Sequence, residues 1–241
     1  MAYLAVNNLN KTFTTPGGRQ ICALSDVSFA VERGRILSIV GHNGSGKTTL
    51  LNCIRRAFPF DRGEILIGGS SASDGQRAVV SVFQDVSIGV VPSMTAMENL
   101  ALVQSGRSSG FLWSLPGRRY RLPIRDFLRE ADLLERFEAF ESTPVSELSG
   151  GQRQQLAIVM AMMREPAVLL LDEFVASLDP VVKEEVLSWT KAWVRRKGVT
   201  TLMVTHDLGL AETWGDNVLE LTDGRVTRFV EAGGVSAGRA P

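Results

Sequence analysis

The stretch "GHNGSGKT", Gly41 to Thr48, limits what this chain can fold into more than any other eight residues in it. It fits the spacing G-x-x-x-x-G-K-[ST], follows the apolar run "RILSIV" and precedes a helix-compatible stretch;. Glycines let the backbone turn tightly, so that successive N–H groups converge on phosphate oxygens, and a helix starting there adds the positive end of its dipole. Lys47 is then placed for the β- and γ-phosphates of a nucleotide and Thr48 for Mg²⁺. The alternative is a glycine-rich turn without a ligand, and the strand before and helix after it argue against that reading.

The rest of the chain supports an α/β class. Runs such as "YLAV", "LSDVSFAV", "RILSIV", "GEILIGG", "VVSVF", "VLLLD", "TTLMVTH" and "NVLEL" alternate with turn signals. Those before residue 45 and after residue 215 read as short and hairpin-like, whereas "ILSIV", "VLLLD" and "TLMVT" are continuously apolar, as buried parallel strands are. A mixed sheet with a parallel core is expected. Helices are expected after "GSGKTT", after "LSGGQ" and after "SLDP", with Pro180 near a helix start;.

Residues 86–148 differ, with helical segments near "TAMENLALVQ" and "RDFLREADLLERFEAF" and an exposed basic loop, "SGRSSGFLWSLPGRRYR", between them. They read as a small helical subdomain inserted between 1–85 and 149–230, which form the α/β core. Residues 231–241 read as a flexible tail.

Composition narrows the function classes. The 26 basic and 26 acidic residues cancel, so no global charge draws the chain to nucleic acid;. The N-terminus lacks the pattern of a signal peptide, and no run approaches the roughly 20 apolar residues of a spanning helix. A cytosolic protein is expected. Cys22 and Cys53 have no metal spacing and are expected to be small buried thiols; with only His42 and His206, no Cys/His metal cluster exists;.

Two further segments carry chemistry. "AVLLLDE" ends an apolar strand on adjacent carboxylates: Asp172 can face a Mg²⁺ shell, and Glu173, turned differently, the γ-phosphate and its attacking water. A solvated acidic turn is the alternative. "LSGGQ", residues 148–152, offers a second anion-binding helix start, fitted to a nucleotide held by another copy of the chain; taken alone it is also a capped helix with a flexible Gly-Gly opening.

The ordered set "GHNGSGKT", Gln84 in "VFQD", "LSGGQ", "VLLLDE", "SLD" at 177–179 and His206 in "VTHD" resembles the nucleotide-binding subunit of ATP-binding cassette (ABC) transporters, over about residues 3–230. The resemblance implies a P-loop NTPase core with a RecA-like parallel sheet, an N-terminal antiparallel β-subdomain and an inserted helical subdomain.

It also implies residue roles. Phe13 would stack on adenine, its alternative being a core phenylalanine at a strand end. Gly41, Asn43, Gly44, Ser45, Gly46, Lys47, Thr48 and Thr49 would wrap the phosphates. Thr48, Gln84 and Asp172 would hold Mg²⁺, and Glu173 would be the general base, oriented by His206. Ser149, Gly150, Gly151 and Gln152 would close over the ATP of a second copy in a head-to-tail dimer, with Asp179 bridging the copies. The partners implied are a membrane permease and an extracytoplasmic binding protein, at the cytoplasmic face of the membrane, and no nucleic acid.

Two departures from the family pattern stand out. Phe174 and Val175 follow "LLLDE" where Pro-Thr is common, so that turn is expected to gain apolar surface. The basic loop is longer than a minimal subdomain needs. With its flanks it resembles ATPases of bacterial uptake systems associated with tryptophan or tyrosine, and Phe111, Trp113 and Tyr120 could dock on a permease or pack on the subdomain's own helices. Export or lipoprotein release is the alternative function, and action on DNA or ribosomes a remote one.

Overall fold

Inward alternation along residues 2–32 builds a pair of long strands. β1 (Ala2–Thr14) and β2 (Gln20–Glu32) are 13 residues each and pair antiparallel, burying Leu4, Val6, Leu9, Leu24, Val27 and Val31. They are not the short hairpin arms expected from sequence. The register slips between Val6 and Leu9, where Asn8 and Asp26 take positive φ and Asn8 Nδ2 donates to Asp26 Oδ1 at 2.6 Å. Such a bulge lets one strand pair continue past polar residues that would break a strict alternation.

The computed structural model describes residues 2–71, 79–107 and 118–231, and at 71, 106–107, 118–120 and 231 the backbone alone. After β2 come β3 (Ile36–Val40), α1 (Lys47–Ile54), β4 (Arg62–Ile67), β5 (Ser70–Ser71), β6 (Val79–Val82), α2 (Ala96–Arg107), α3 (Arg118–Glu130), α4 (Leu134–Glu138), α5 (Gly150–Met163), β7 (Val168–Asp172), α6 (Pro180–Lys197), β8 (Thr200–Val204), α7 (Leu208–Trp214), β9 (Asn217–Thr222) and β10 (Arg225–Glu231). Of the tail expected at 231–241, Glu231 instead ends β10 and 232–241 lie outside the described residues, as do Phe111 and Trp113; Tyr120 is described only by its backbone.

One compact unit comprises Met1–Ser81, Ala167–Glu173 and Val194–Pro241. An antiparallel sheet, order β2-β1-β4-β5, and a six-stranded sheet, order β10-β9-β3-β8-β7-β6, make its layers. In the second sheet β3 runs parallel to β8 and β9, β7 parallel to β8, and β9 antiparallel to β10. All five residues of β3 and of β8 are buried, as the continuous apolar runs require;. Leu50, Leu51, Cys53 and Ile54 on α1 share one hydrophobic core with side chains of both sheets. The helix that follows the glycine loop is thereby fixed along its length.

The other unit comprises Val82–Pro166 and Phe174–Trp193 and is helical. Thr95 and Glu98 cap α2 reciprocally: Thr95 N–H donates to Glu98 Oε2 at 2.8 Å, and Glu98 N–H to Thr95 Oγ1 at 3.2 Å;. Asn99 is fully buried and satisfied, accepting from Val91 N–H and donating to the carbonyls of Val91 and Thr95;. Phe174 and Val175 are buried side chains of this unit, so the expected gain in apolar surface does not occur: tertiary packing absorbs both.

Candidate functional site

The glycine loop leaves β3 and enters α1 without a side-chain cap. Gly46 is the N-cap, at φ 105°, and accepts Leu50 N–H at 2.8 Å. The first N–H groups of any helix lack intrahelical acceptors, and here no side chain takes their place, so an anion fits. A Cβ on Gly46 would lie 2.6 Å from the Ala23 carbonyl oxygen, and one on Gly41 2.2 Å from that of Leu221. Gly44, at φ 84°, faces open space on its side-chain side. Asn43 and Thr48 are exposed, Thr49 half-buried, and the buried Ser45 Oγ finds no hydrogen-bond partner among the described residues.

Lys47 is 6% exposed and its Nζ donates to the carbonyls of Gly41 at 2.7 Å and His42 at 2.9 Å. The loop thus carries its own cation inside its curve. His42 Nε2 stands 3.5 Å from Asp223 Oδ1.

β7 presents both carboxylates, beside the parallel β8 that leads to His206. Asp172 ends β7, and Glu173, the next residue, takes φ 44° while its N–H donates to Val204 O at the end of β8 at 3.1 Å. That left-handed residue turns the Glu173 side chain away from the direction Asp172 takes. His206, two residues past β8 and largely exposed, places Nδ1 3.6 Å from Glu173 Oε1, beyond hydrogen-bond distance;. Burial first, and the neighbouring Glu173 charge second, push the Asp172 carboxyl above the usual range, against the pull of Lys47 and Arg55. A divalent cation fits such a site, because it relieves both penalties.

Phe13, one residue before the end of β1, is half-buried in a cluster with three side chains that sequence reading did not single out. Lys11 Nζ lies 5.1 Å from its ring centroid, Asp61 Oδ1 is 3.5 Å from that ammonium, and the Phe58 ring stands at 5.7 Å and 86° to Phe13. The available signal was spacing: Lys11 and Phe13 are two apart on one strand and share a face. Cys53, on α1, is buried as expected, and burial pushes its thiol up. Cys22 is exposed, a correction: it sits near the turn end of the β1–β2 hairpin beside the exposed Ile21, where the core does not reach.

The remaining site residues belong to the helical unit. Gln84 is exposed, two residues past β6. Ser149 is the N-cap of α5 in a capping box: Gln152 N–H donates to Ser149 Oγ at 3.2 Å and Ser149 N–H to Gln152 Oε1 at 2.9 Å. Gly150 and Gly151 start the helix, and a Cβ on Gly150 would meet nothing within 4 Å. Asp179 Oδ1 accepts from Val181 and Val182 N–H at 3.1 and 3.2 Å, starting α6 behind Pro180, which needs no donor there;.

Comparison with known proteins identifies the family. A family model described as ABC transporter matches residues 24–176. The Tyrosine transport ATP-binding protein of Clostridioides difficile is 38% identical over 234 residues, 95% of this chain and 92% of its own length. The Phosphonates import ATP-binding protein of Treponema denticola is 33% identical over 236 residues, 92% of this chain and 87% of its own. A solved dimeric structure of an ATP-binding cassette in a post-hydrolysis state, bound to ADP and Pi, superposes with TM-score 0.79 at 30% identity, covering 96% of this chain and all of that one. A glycine loop opening an uncapped helix, carboxylates at the tip of a strand of the same sheet and these matches lead to one conclusion: the chain belongs to the ABC transporter family, as an ATP-hydrolysing cassette of P-loop NTPase fold.

Proposed function

We propose that this cassette powers import of a small solute through a membrane permease at the cytoplasmic face of the membrane, with an extracytoplasmic binding protein delivering an aromatic amino acid. The observation that carries this reading is the likeness, across nearly the whole chain, to a relative named for tyrosine transport. Other relatives are named for phosphonate and methionine import.

In this reading the N–H groups from Asn43 to Thr49 bind the phosphates, and Lys47 exchanges its bonds to the Gly41 and His42 carbonyls for the β- and γ-phosphates. Thr48, Asp172 and Gln84 would hold Mg²⁺, which supplies positive charge to the phosphate oxygens. Glu173 takes the proton of the attacking water as its oxygen bonds to the γ-phosphorus and the bond to the β-phosphate oxygen breaks. His206 closes the remaining gap to Glu173 when the γ-phosphate is bound.

A second copy supplies the α5 start over the same nucleotide. The capping box uses the Ser149 and Gln152 N–H groups, which leaves the donors of Gly150 and Gly151 for the γ-phosphate, and Asp179 lies between the copies. Residues 86–148, an inserted helical subdomain, face the permease.

The test is recovery of tagged Glu173→Gln cassette from native membranes with ATP and Mg²⁺ to identify its partners, followed by uptake and ATP-turnover assays on the same assembly prepared with the wild-type cassette. A multispanning permease and tyrosine-stimulated ATP turnover are expected. Ribosomal or DNA-repair partners without a permease would contradict the reading.

A further inference from the structure

Lys11 is a lysine at 8% exposure on an otherwise apolar strand face, and burying an ammonium is costly unless something compensates it;. Asp61 compensates it at 3.5 Å, and Asp61 is itself oriented by the strand, since its other oxygen accepts Thr12 N–H at 2.6 Å. The chain therefore aims a cation at one place, and the aromatic ring there is Phe13, whose centroid is 5.1 Å away. That is within the range in which a cation attracts the face of an aromatic ring.

Phe58 contributes a second constraint. At 5.7 Å and 86° it meets Phe13 edge to face, an arrangement that resists rotation of the ring, yet Phe58 stays 38% exposed;. A large apolar side chain left at the surface beside a half-buried aromatic forms the rim of a platform.

We propose that Lys11, held by Asp61, is a positioning residue for purine binding: it draws π-electron density from Phe13 and fixes the ring so that a purine stacks on its accessible part, with Phe58 as the rim. This rests on reading Phe13 as the base platform. None of the three side chains reads a base edge in this arrangement, so the ligand class is a purine nucleotide, adenine and guanine alike.

The test is calorimetric titration of the cassette with ADP, GDP and inorganic tripolyphosphate, for wild type, Lys11→Met, Lys11→Arg, Phe58→Leu and Phe13→Ala. Lys11→Met is expected to weaken ADP and GDP binding about fivefold to thirtyfold while tripolyphosphate binding stays within about twofold, and Lys11→Arg to restore it. Phe58→Leu carries the same direction and serves if Lys11→Met fails to fold. Wild-type ADP affinity in Lys11→Met or, failing that variant, in Phe58→Leu overturns the inference, as does an equal loss for tripolyphosphate, which would place the ammonium on phosphate or in the fold. If Phe13→Ala binds ADP as wild type does, the platform reading itself falls; if Phe13→Ala weakens ADP and Lys11→Met does not, only the present inference falls.

Discussion

Asp172 stores the clearest electrostatic tension in the molecule. Its carboxyl is held above the usual range by burial and then by Glu173, so the folded chain without ligand keeps that proton to a higher pH than the unfolded chain does;. A raised carboxyl costs nothing below its ordinary value of 3.8, and the cost is complete once pH exceeds the folded value;. Wild-type stability without nucleotide should therefore fall as pH rises through that interval. Asp172→Asn should be the more thermally stable of the two at neutral pH, and should have lost Mg²⁺-dependent turnover; a melting midpoint at or below wild type would remove the tension. The identity of such residues was legible because their chemistry demands a fixed spacing and order. The rings and ammonium around Phe13 were not, because Phe58 and Asp61 reach it from elsewhere in the chain and only folding brings them together.

Element ends carry much of the site, and they can be tested one at a time. Ser149→Ala removes half of the capping box that starts α5 and should cost about 1 kcal/mol, or about 2–4 °C in melting midpoint;. Gly46→Ala forces a Cβ to within 2.6 Å of the Ala23 carbonyl at a φ of 105°, so calorimetry should show loss of nucleotide binding;. A third contact ties elements far apart in sequence: Asp216 accepts from Ile36 N–H at the start of β3 and from Arg195 at the end of α6, with Arg35 at 3.5 Å. Burial pushes the Asp216 carboxyl up, but these hydrogen bonds and charges outweigh it and hold it below the usual range. Its stabilisation is present above the ordinary carboxylate value and is lost as pH falls through the folded one. Asp216→Asn should cost about 1–2 kcal/mol at neutral pH in denaturant unfolding, with the difference from wild type shrinking in acid. Sequence periodicity showed most of the strands and helices, β5, α7 and β10 apart; it did not show that β1 and β2 run 13 residues, because a bulge at Asn8 interrupts the alternation that marks a strand.

At the scale of the whole molecule, the chain passes from one unit to the other immediately after Glu173, so the residue proposed as base ends a segment of one unit and the buried Phe174 begins a segment of the other. Local pattern could not reveal that the stretch from Phe174 to Trp193 shares a unit with Val82–Pro166, because the packing partners are distant in sequence. The burial of Phe174 and Val175, where a proline-threonine pair was the family expectation, has the same origin. In the proposed mechanism one glutamate at a strand tip drives ATP hydrolysis and two copies close over the nucleotide. The most direct test is Pi release, together with sedimentation in ATP and Mg²⁺, for wild type and Glu173→Gln. Pi release is expected to fall about 10²- to 10⁴-fold in the variant while nucleotide binding persists and the variant sediments as a dimer. Turnover by Glu173→Gln at the wild-type rate would contradict it.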